Sequence, residues 1–449
     1  MKIFLTFFLI PIGLLFAHNY DVVVVGATPS GIAAAVNAAQ QGLSVALVEE
    51  SGRIGGLTAS GLSHTDFKHI ESVQGTFRDF MNRVVQIYSQ QYGPDSEQVK
   101  QCYQGGYYEP RVALRAFQEM VGDQKSLTLL LHHRLVAALT SAGSDGRTRL
   151  HAIRVLDLVA NQNVELSAKA FIDSTYEGDL MAAAGVPYVV GREGRSEYGE
   201  LFAGRLFYSG GKFLIGSSGE GDRHVQCYNF RITMTNDPAN RAEIARPPVY
   251  QRSDYTPLLD WMHSGKIKAV AEGIVRFRYL PNHKADVNDV MHAPVSLRLL
   301  GENDAWPEGS PEVRRQIYER FKNYSLGLFY FLQNDREVPS DIREEARQWG
   351  LCRDEYEETG HFPPFLYVRE ARRMKGAFIF TEKDTQPQIE SGSVRAPLFT
   401  DAIAAGDYSI DSHGELPPER YHPGVTDGSY GFSTVPFQVP YRILIPPNV

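Results

Sequence analysis

Asp21-Val22-Val23-Val24-Val25-Gly26-Ala27-Thr28-Pro29-Ser30-Gly31 leads into an alanine-rich stretch, residues 32–41, then a second apolar run, residues 45–48, that ends in Glu49. A β-branched run, a glycine loop, a helix-forming stretch and another apolar run make a β-α-β unit. Four valines in succession suit a strand buried on both faces, the mark of a parallel sheet. Ala33, Ala34, Ala35, Ala38 and Ala39 let the following helix lie close to that sheet, and Gly42 closes it.

A dinucleotide fingerprint places glycines for the tight turn, for approach of a pyrophosphate and for helix packing. Gly26 and Gly31 fill two of those positions and Thr28 stands at the middle one. Pro29 suits the first helical turn, whose free N–H groups attract phosphate. Glu49 stands where a carboxylate accepts hydrogen bonds from a ribose diol and repels a 2′-phosphate, which favours FAD or NAD over NADP. It also fits an exposed strand end. Ser51-Gly52-Arg53-Ile54-Gly55-Gly56-Leu57-Thr58 then supplies a basic side chain and paired glycines able to fold over a diphosphate.

Working outward, helical periodicity returns at residues 111–121, and residues 127–131, 151–156 and 164–172 read as strands, the last running into Asp173. From about Arg195 the pattern changes to short strands (225–235, 273–279), Gly- and Pro-rich loops, a Gly-rich piece over 209–221 that reads as a hairpin or a surface loop, and one helical block over 311–350. The expected fold class is α/β: a Rossmann-type domain with a parallel sheet over residues 19–194, an α+β substrate domain over 195–435, and a return segment over 436–449.

The 449 residues are 43% hydrophobic and 22% charged, with net charge −8. At roughly 150 residues per domain that length allows two or three domains. The acidic balance argues against a nucleic-acid partner, which is held by cations. Cys102, Cys227 and Cys352 are too scattered for a CxxC pair and allow one disulfide at most. No HxxxH or HExxH spacing indicates a metal. The opening segment has one basic residue, Lys2, an apolar run over residues 3–16 and Ala17, which predicts a signal peptide (1–17) and an exported protein, periplasmic or extracellular. The run is too short to span a membrane, and Leu15 departs from the small-residue rule for cleavage.

The chain resembles the FAD-dependent oxidoreductases of the glutathione-reductase-like superfamily, specifically a large family whose bacterial members often carry the label xanthan lyase. The matching stretches include residues 21–66 and 108–113, FIDSTYEGDLMAAAGVPYVVGREGRSEYGE (171–200), YNFRITMT (228–235), LPNHKADVND (280–289), LGLFYFLQNDREVP (326–339) and YVREARRMKG (367–376). The resemblance implies FAD held by Gly26, Ser30, Gly31, Glu49, Arg53, Gly55, Gly56 and Thr58, with adenine near the backbone of Val136. Asp173, Thr175 and Gly178 would close the nucleotide site, although Asp173 also suits a helix N-cap. Relatives continue past the match at residues 439–446 into a further strand, turn and helix, so the resemblance implies an incomplete flavin site here and weak FAD binding.

Substrate chemistry at a flavin needs a proton-handling or anion-binding group on the second domain. Arg231, flanked by apolar residues, fits a substrate clamp or a buried ion pair. Arg369 sits in the cluster Arg369, Glu370, Arg372 and Arg373, which also reads as a salt-bridge network. His413, in a loop, is a residue type suited to accept a proton near neutrality. His64, just beyond the diphosphate loop, is close enough to approach the flavin and equally fits a satisfied loop histidine. Asn282, Lys284, Asp286 and Asn288 form a polar run that could bind hydroxyls or build a turn. The expected partner is a small molecule, carbohydrate-derived in the reading the resemblance suggests. The competing expectation is a flavin-independent carbohydrate lyase or binding module.

Overall fold

The computed structural model describes residues 17–209, 212–290, 293–414 and 430–449. Residues 1–16, on which the export signal was read, lie outside it. The first strand, β1 (Ala17–Val25), begins four residues before the valine run suggested, and Ala17 pairs with Glu165. It is followed by α1 (Pro29–Gln40) and β2 (Val45–Val48), as the β-α-β reading required.

The chain then adds α2 (Gly75–Tyr92), α3 (Glu97–Gln101), α4 (Pro110–Gly122), β3 (Leu127–Leu130), β4 (His133–Ala142), β5 (Thr148–Asp157) and β6 (Gln162–Asp173). These strands form one sheet in the order β3-β2-β1-β6-β5-β4. β3, β2, β1 and β6 are parallel, and β4, β5 and β6 form an antiparallel meander. The valines of β1 divide as strand alternation demands. Val22 and Val24 face the core built by α1, α2 and α4, while Val23 and Val25 pack with Ile153, Val155 and Leu166 of the meander. Burial of each is worth about 1.5–3 kcal/mol. A short helix, α5 (Asp179–Ala183), follows β6.

The second domain is built on a five-stranded antiparallel sheet. Its strands are β7 (Ile232–Thr235), β8 (Arg241–Ala242), β9 (Val275–Leu280), β10 (Lys284–Asp289) and β11 (Gly350–Cys352), in the order β8-β11-β7-β10-β9. Helices α6 (Pro257–His263), α7 (Pro311–Asn334) and α8 (Ser340–Arg347) share its apolar cover with the connecting segments.

Two expectations are corrected here. The single helical block is two helices: α7 ends at Asn334, with Asp335 already extended, and α8 begins only after Pro339, which keeps Val338 before it out of the helical region; the block's end at Gly350 is strand. Only Ile232–Thr235 of the expected 225–235 strand pairs in the sheet. All three cysteines are buried and free, so the one bridge the count allowed does not form. Asn323-Tyr324-Ser325 has the spacing of an N-glycosylation acceptor, but it lies inside α7, where Asn323 is 9% exposed and its Nδ2 donates to the Glu319 carbonyl.

The domain boundary read near residue 194 is crossed by pairing. Arg373–Met374 forms a two-stranded ladder with Tyr188–Val189. At the chain's end Phe437–Pro440 pairs with Ala402–Gly406, and Thr148 N–H on β5 donates to the Asn448 carbonyl.

The firmest link between the two sheets is ionic. Lys284 of β10, fully buried, lies 2.7 Å from Glu109 at the start of α4, 2.8 Å from Glu355 and 2.9 Å from Asp354. Arg111 closes the group through Glu109 and Asp354. Burial pushes the Glu355 carboxyl up to about 7, against the opposing pull of Lys284. A carboxyl whose pKa is raised on folding stabilises the fold at low pH and loses that contribution as pH rises. Stability is therefore expected to fall between about pH 4.5 and 7 through this group. Denaturation of Glu355→Gln across that range should show the slope reduced; an unchanged slope would assign it elsewhere.

Candidate functional site

The loop between β1 and α1 explains its own sequence. Gly26 has φ +95°, and a Cβ there would sit 2.8 Å from the Ser174 backbone; a Cβ on Gly31 would lie 2.0 Å from the Gly26 carbonyl oxygen. Thr28, at the position where the general fingerprint has glycine, is the N-cap of α1. Its hydroxyl accepts from the Gly31 N–H, donates to the Ser174 carbonyl at 2.9 Å and meets Ser30 Oγ at 3.0 Å. The hydroxyl is thus engaged by the turn after β6. Thr28→Ala should cost about 1 kcal/mol, as loss of a helix cap does; thermal unfolding indistinguishable from wild type would contradict that role.

Glu49 points into this crevice. One carboxylate oxygen accepts from the Ala27 N–H at 2.9 Å and the other from the N–H and hydroxyl of Ser51. It is 8% exposed, and burial raises its pKa. The exposed-strand-end alternative is therefore not what the structure has.

In the diphosphate loop, Gly55 donates to the Ala27 carbonyl, and the Tyr176 hydroxyl lies against Gly56 and accepts from Leu57 N–H. Arg53 stacks over the Tyr356 ring, donates from Nε to the Ala59 carbonyl and pairs with Glu358 through Nη1. Its Nη2 is buried with no partner. So are Ser60 Oγ, Ser63 Oγ and His64 Nδ1. Buried polar atoms without partners carry a penalty of about 1–3 kcal/mol each, and four in one short run mark a surface made to receive hydrogen-bonding groups. Together with the glycine crevice and Glu49, they fit a dinucleotide lying from β1 across this loop.

Asp173 accepts from the N–H and hydroxyl of Thr175 and from Met181 N–H, so it secures the β6–α5 turn, with Gly178 capping α5. Thr58 is half-buried beside Tyr108. Val136 is 53% exposed at a bulge in β4.

A profile of the family described as FAD dependent oxidoreductase matches residues 21–449. The chain belongs to the FAD-dependent oxidoreductases. FAD is its cofactor, and Gly26, Gly31, Glu49, Arg53 and the Ser60–Ser63 run are the residues whose geometry fits it. Among curated proteins, digeranylgeranylglycerophospholipid reductase 2 of Methanopyrus kandleri is 26% identical over 224 residues, 46% of this chain and 54% of that one. The soluble pyridine nucleotide transhydrogenase of Chromohalobacter salexigens is 54% identical over 39 residues, 9% of this chain and 8% of that one. The chain thus spans about half the length of the first and a small part of the second. Among solved structures, Thermovibrio ammonificans THI4 is 17% identical, covering 39% of this chain and 66% of that one, with TM-score 0.27. The glycerol-3-phosphate dehydrogenase from Bacillus halodurans complexed with FAD is 12% identical, covering 45% and 46%, with TM-score 0.27. At those TM-scores neither likeness carries weight.

The four substrate-side candidates come together in this FAD-dependent oxidoreductase. Arg231 is held by Asp286 of β10 in a two-point pair, Nε at 2.8 Å and Nη2 at 2.6 Å. Asp286, fully buried, also accepts the N–H groups of Ser63 and His64, tying the diphosphate loop to the second sheet. Gly61 permits that approach: φ is +111°, and a Cβ would lie 1.9 Å from the Arg231 carbonyl oxygen. The His64 ring stacks on Tyr107 at 3.7 Å, and burial lowers its pKa. Arg369 donates to the Cys227 carbonyl and to Asn229, which in turn bonds Asn288 of β10. The His413 N–H donates to Gln226, and its carbonyl accepts from Cys227. Asp289 binds the group together: burial alone would raise its carboxyl, but Arg298, Arg369 and His413 hold it below the usual range.

Arg372 and Arg373, by contrast, serve the scaffold, pairing with Asp179 and Glu193. Sequence reasoning missed Asp286 as the hub. The available signal was the alternation Lys284, Asp286, Asn288 against Ala285 and Val287, which is strand periodicity rather than a turn.

Proposed function

We propose that this protein is an exported, glutathione-reductase-like flavoenzyme that oxidises or reduces a carbon centre of a small, carbohydrate-related molecule held against the β9–β10 face. The observation that carries this reading is the convergence of His64, Arg231 and Arg369 on that face, joined through Asp286 and Asn229–Asn288, next to the unpartnered serines of the cofactor loop. Bound FAD supplies acceptance or donation of hydride. His64, kept neutral at pH 7 by burial, takes or returns the substrate proton at a ring nitrogen. Asp286 sets the direction of His64 through its backbone and holds Arg231 in place. Tyr107 stacks on the His64 ring and covers one of its faces. Export is supported by the opening apolar segment, and the carbohydrate-related class by the family resemblance.

Anaerobic mixing of the FAD-loaded chain with sugars, sugar acids and other small alcohols tests this. Bleaching of the flavin absorbance with matching formation of oxidised product is the expected result. Release of unsaturated product from acidic glycans with the flavin unchanged would overturn it in favour of a lyase.

A further inference from the structure

Arg278 of β9 sits directly opposite Asp286 of β10 in the antiparallel register. Opposed residues share a face of the sheet, and the Asp286 carboxylate meets the cofactor loop, so Arg278 projects toward the same loop. Asp286 cannot neutralise it. A carboxylate offers roughly four acceptor positions, and those of Asp286 already take Arg231 Nε and Nη2 and the N–H groups of Ser63 and His64. Among the described residues the Arg278 side chain makes no hydrogen bond and no ion pair, although the residue is half-buried. Burial raises the pKa of Tyr107 and Tyr408 and lowers that of His64; the Arg278 charge is felt by all three, opposing the rise in the tyrosines and adding to the fall in the histidine. Here is a guanidinium with five donors unspent, among two tyrosines and the histidine that handles the proton.

We propose that Arg278 binds a carboxylate of the substrate, making it a specificity-determining residue for sugar acids or similar hydroxy acids. This rests on the reading that the β9–β10 face is the substrate face. A guanidinium matches a carboxylate in a two-point fork. The acidic side chains of Asp66 and Asp411, which act on the same tyrosine Tyr408, disfavour a dianion such as phosphate. Asp286 both opposes Arg278 in the register and accepts the His64 N–H, so a carboxylate held at Arg278 lies on the same face as His64.

Benzoate, neutral benzamide and inorganic phosphate are the probes, added to the FAD-loaded chain and followed by perturbation of flavin absorbance and by thermal shift. Benzoate is expected to act saturably, and benzamide and phosphate at least tenfold more weakly. Arg278→Met should weaken benzoate at least tenfold with FAD content unchanged. Arg278→Lys, which keeps the charge without the fork and guards against misfolding of the first variant, should weaken it less. Equal action of benzoate and benzamide, tighter binding of phosphate, failure of benzoate to bind, or variants that bind benzoate as wild type does would each overturn the inference. So would loss of FAD with benzoate affinity retained, which would assign Arg278 to the cofactor. Benzoate binding through Arg278 without flavin reduction by any compound would keep this inference and remove the proposed function. Reduction by neutral sugars, unaltered in Arg278→Met, would do the reverse.

Discussion

Lys284→Met is expected to lower the free energy of unfolding by about 3–5 kcal/mol, the cost of removing one partner from a buried ion pair. The lysine has no exposed surface and contacts three carboxylates within 2.9 Å. Methionine nearly fills its volume, so the loss is electrostatic. Glu109 keeps Arg111, Tyr88 and Asn282, whereas Glu355 keeps only the Arg111 N–H. Glu355 is then the stranded charge, and it escapes by taking a proton. The deficit should accordingly shrink as pH is lowered, and adding Glu355→Gln to Lys284→Met should recover part of it. Urea denaturation reads both. A loss under 1 kcal/mol at neutral pH would mean that the cluster does not hold the two sheets together.

Glu49→Ala is expected to weaken FAD binding by about 10–150-fold, since hydrogen bonds to a charged group contribute about 1.5–3 kcal/mol and each 1.4 kcal/mol is tenfold. Two effects add. The ribose diol loses its acceptor, and the Ala27 N–H, which Glu49 holds at 2.9 Å, loses its partner inside the crevice that must admit the pyrophosphate. Glu49→Gln retains the side-chain shape and should lie between the two. An affinity within threefold of wild type in Glu49→Ala would place the adenosine elsewhere.

The part of the site legible in the sequence is the part made by neighbours in the chain. Gly26, Thr28, Gly31 and Glu49 lie within one β-α-β unit, whose strand register and helix start fix their geometry locally. Lys284 and Asp286 were visible only as polar residues, because their partners are up to 223 positions away and spacing carries no information at that range. Arg278 gave no signal at all: an arginine in a strand is ordinary until the register sets it beside a carboxylate already fully engaged. The helix block over 311–350 was overextended because its apolar period continues across the break, and only the proline marks it. β1 began early because its first four residues pair with β6 without the β-branched run that announced the rest.

The β1–α1 crevice is expected to hold the adenosine half of FAD, with Glu49 on its ribose. Titrating the purified chain with FAD and, separately, with FMN, which lacks that half, tests this directly by quenching of flavin fluorescence. Saturable binding of FAD, at least tenfold tighter than FMN and diminished in Glu49→Ala, is the predicted result. Equal binding of the two flavins, or FAD binding indifferent to Glu49, would contradict it.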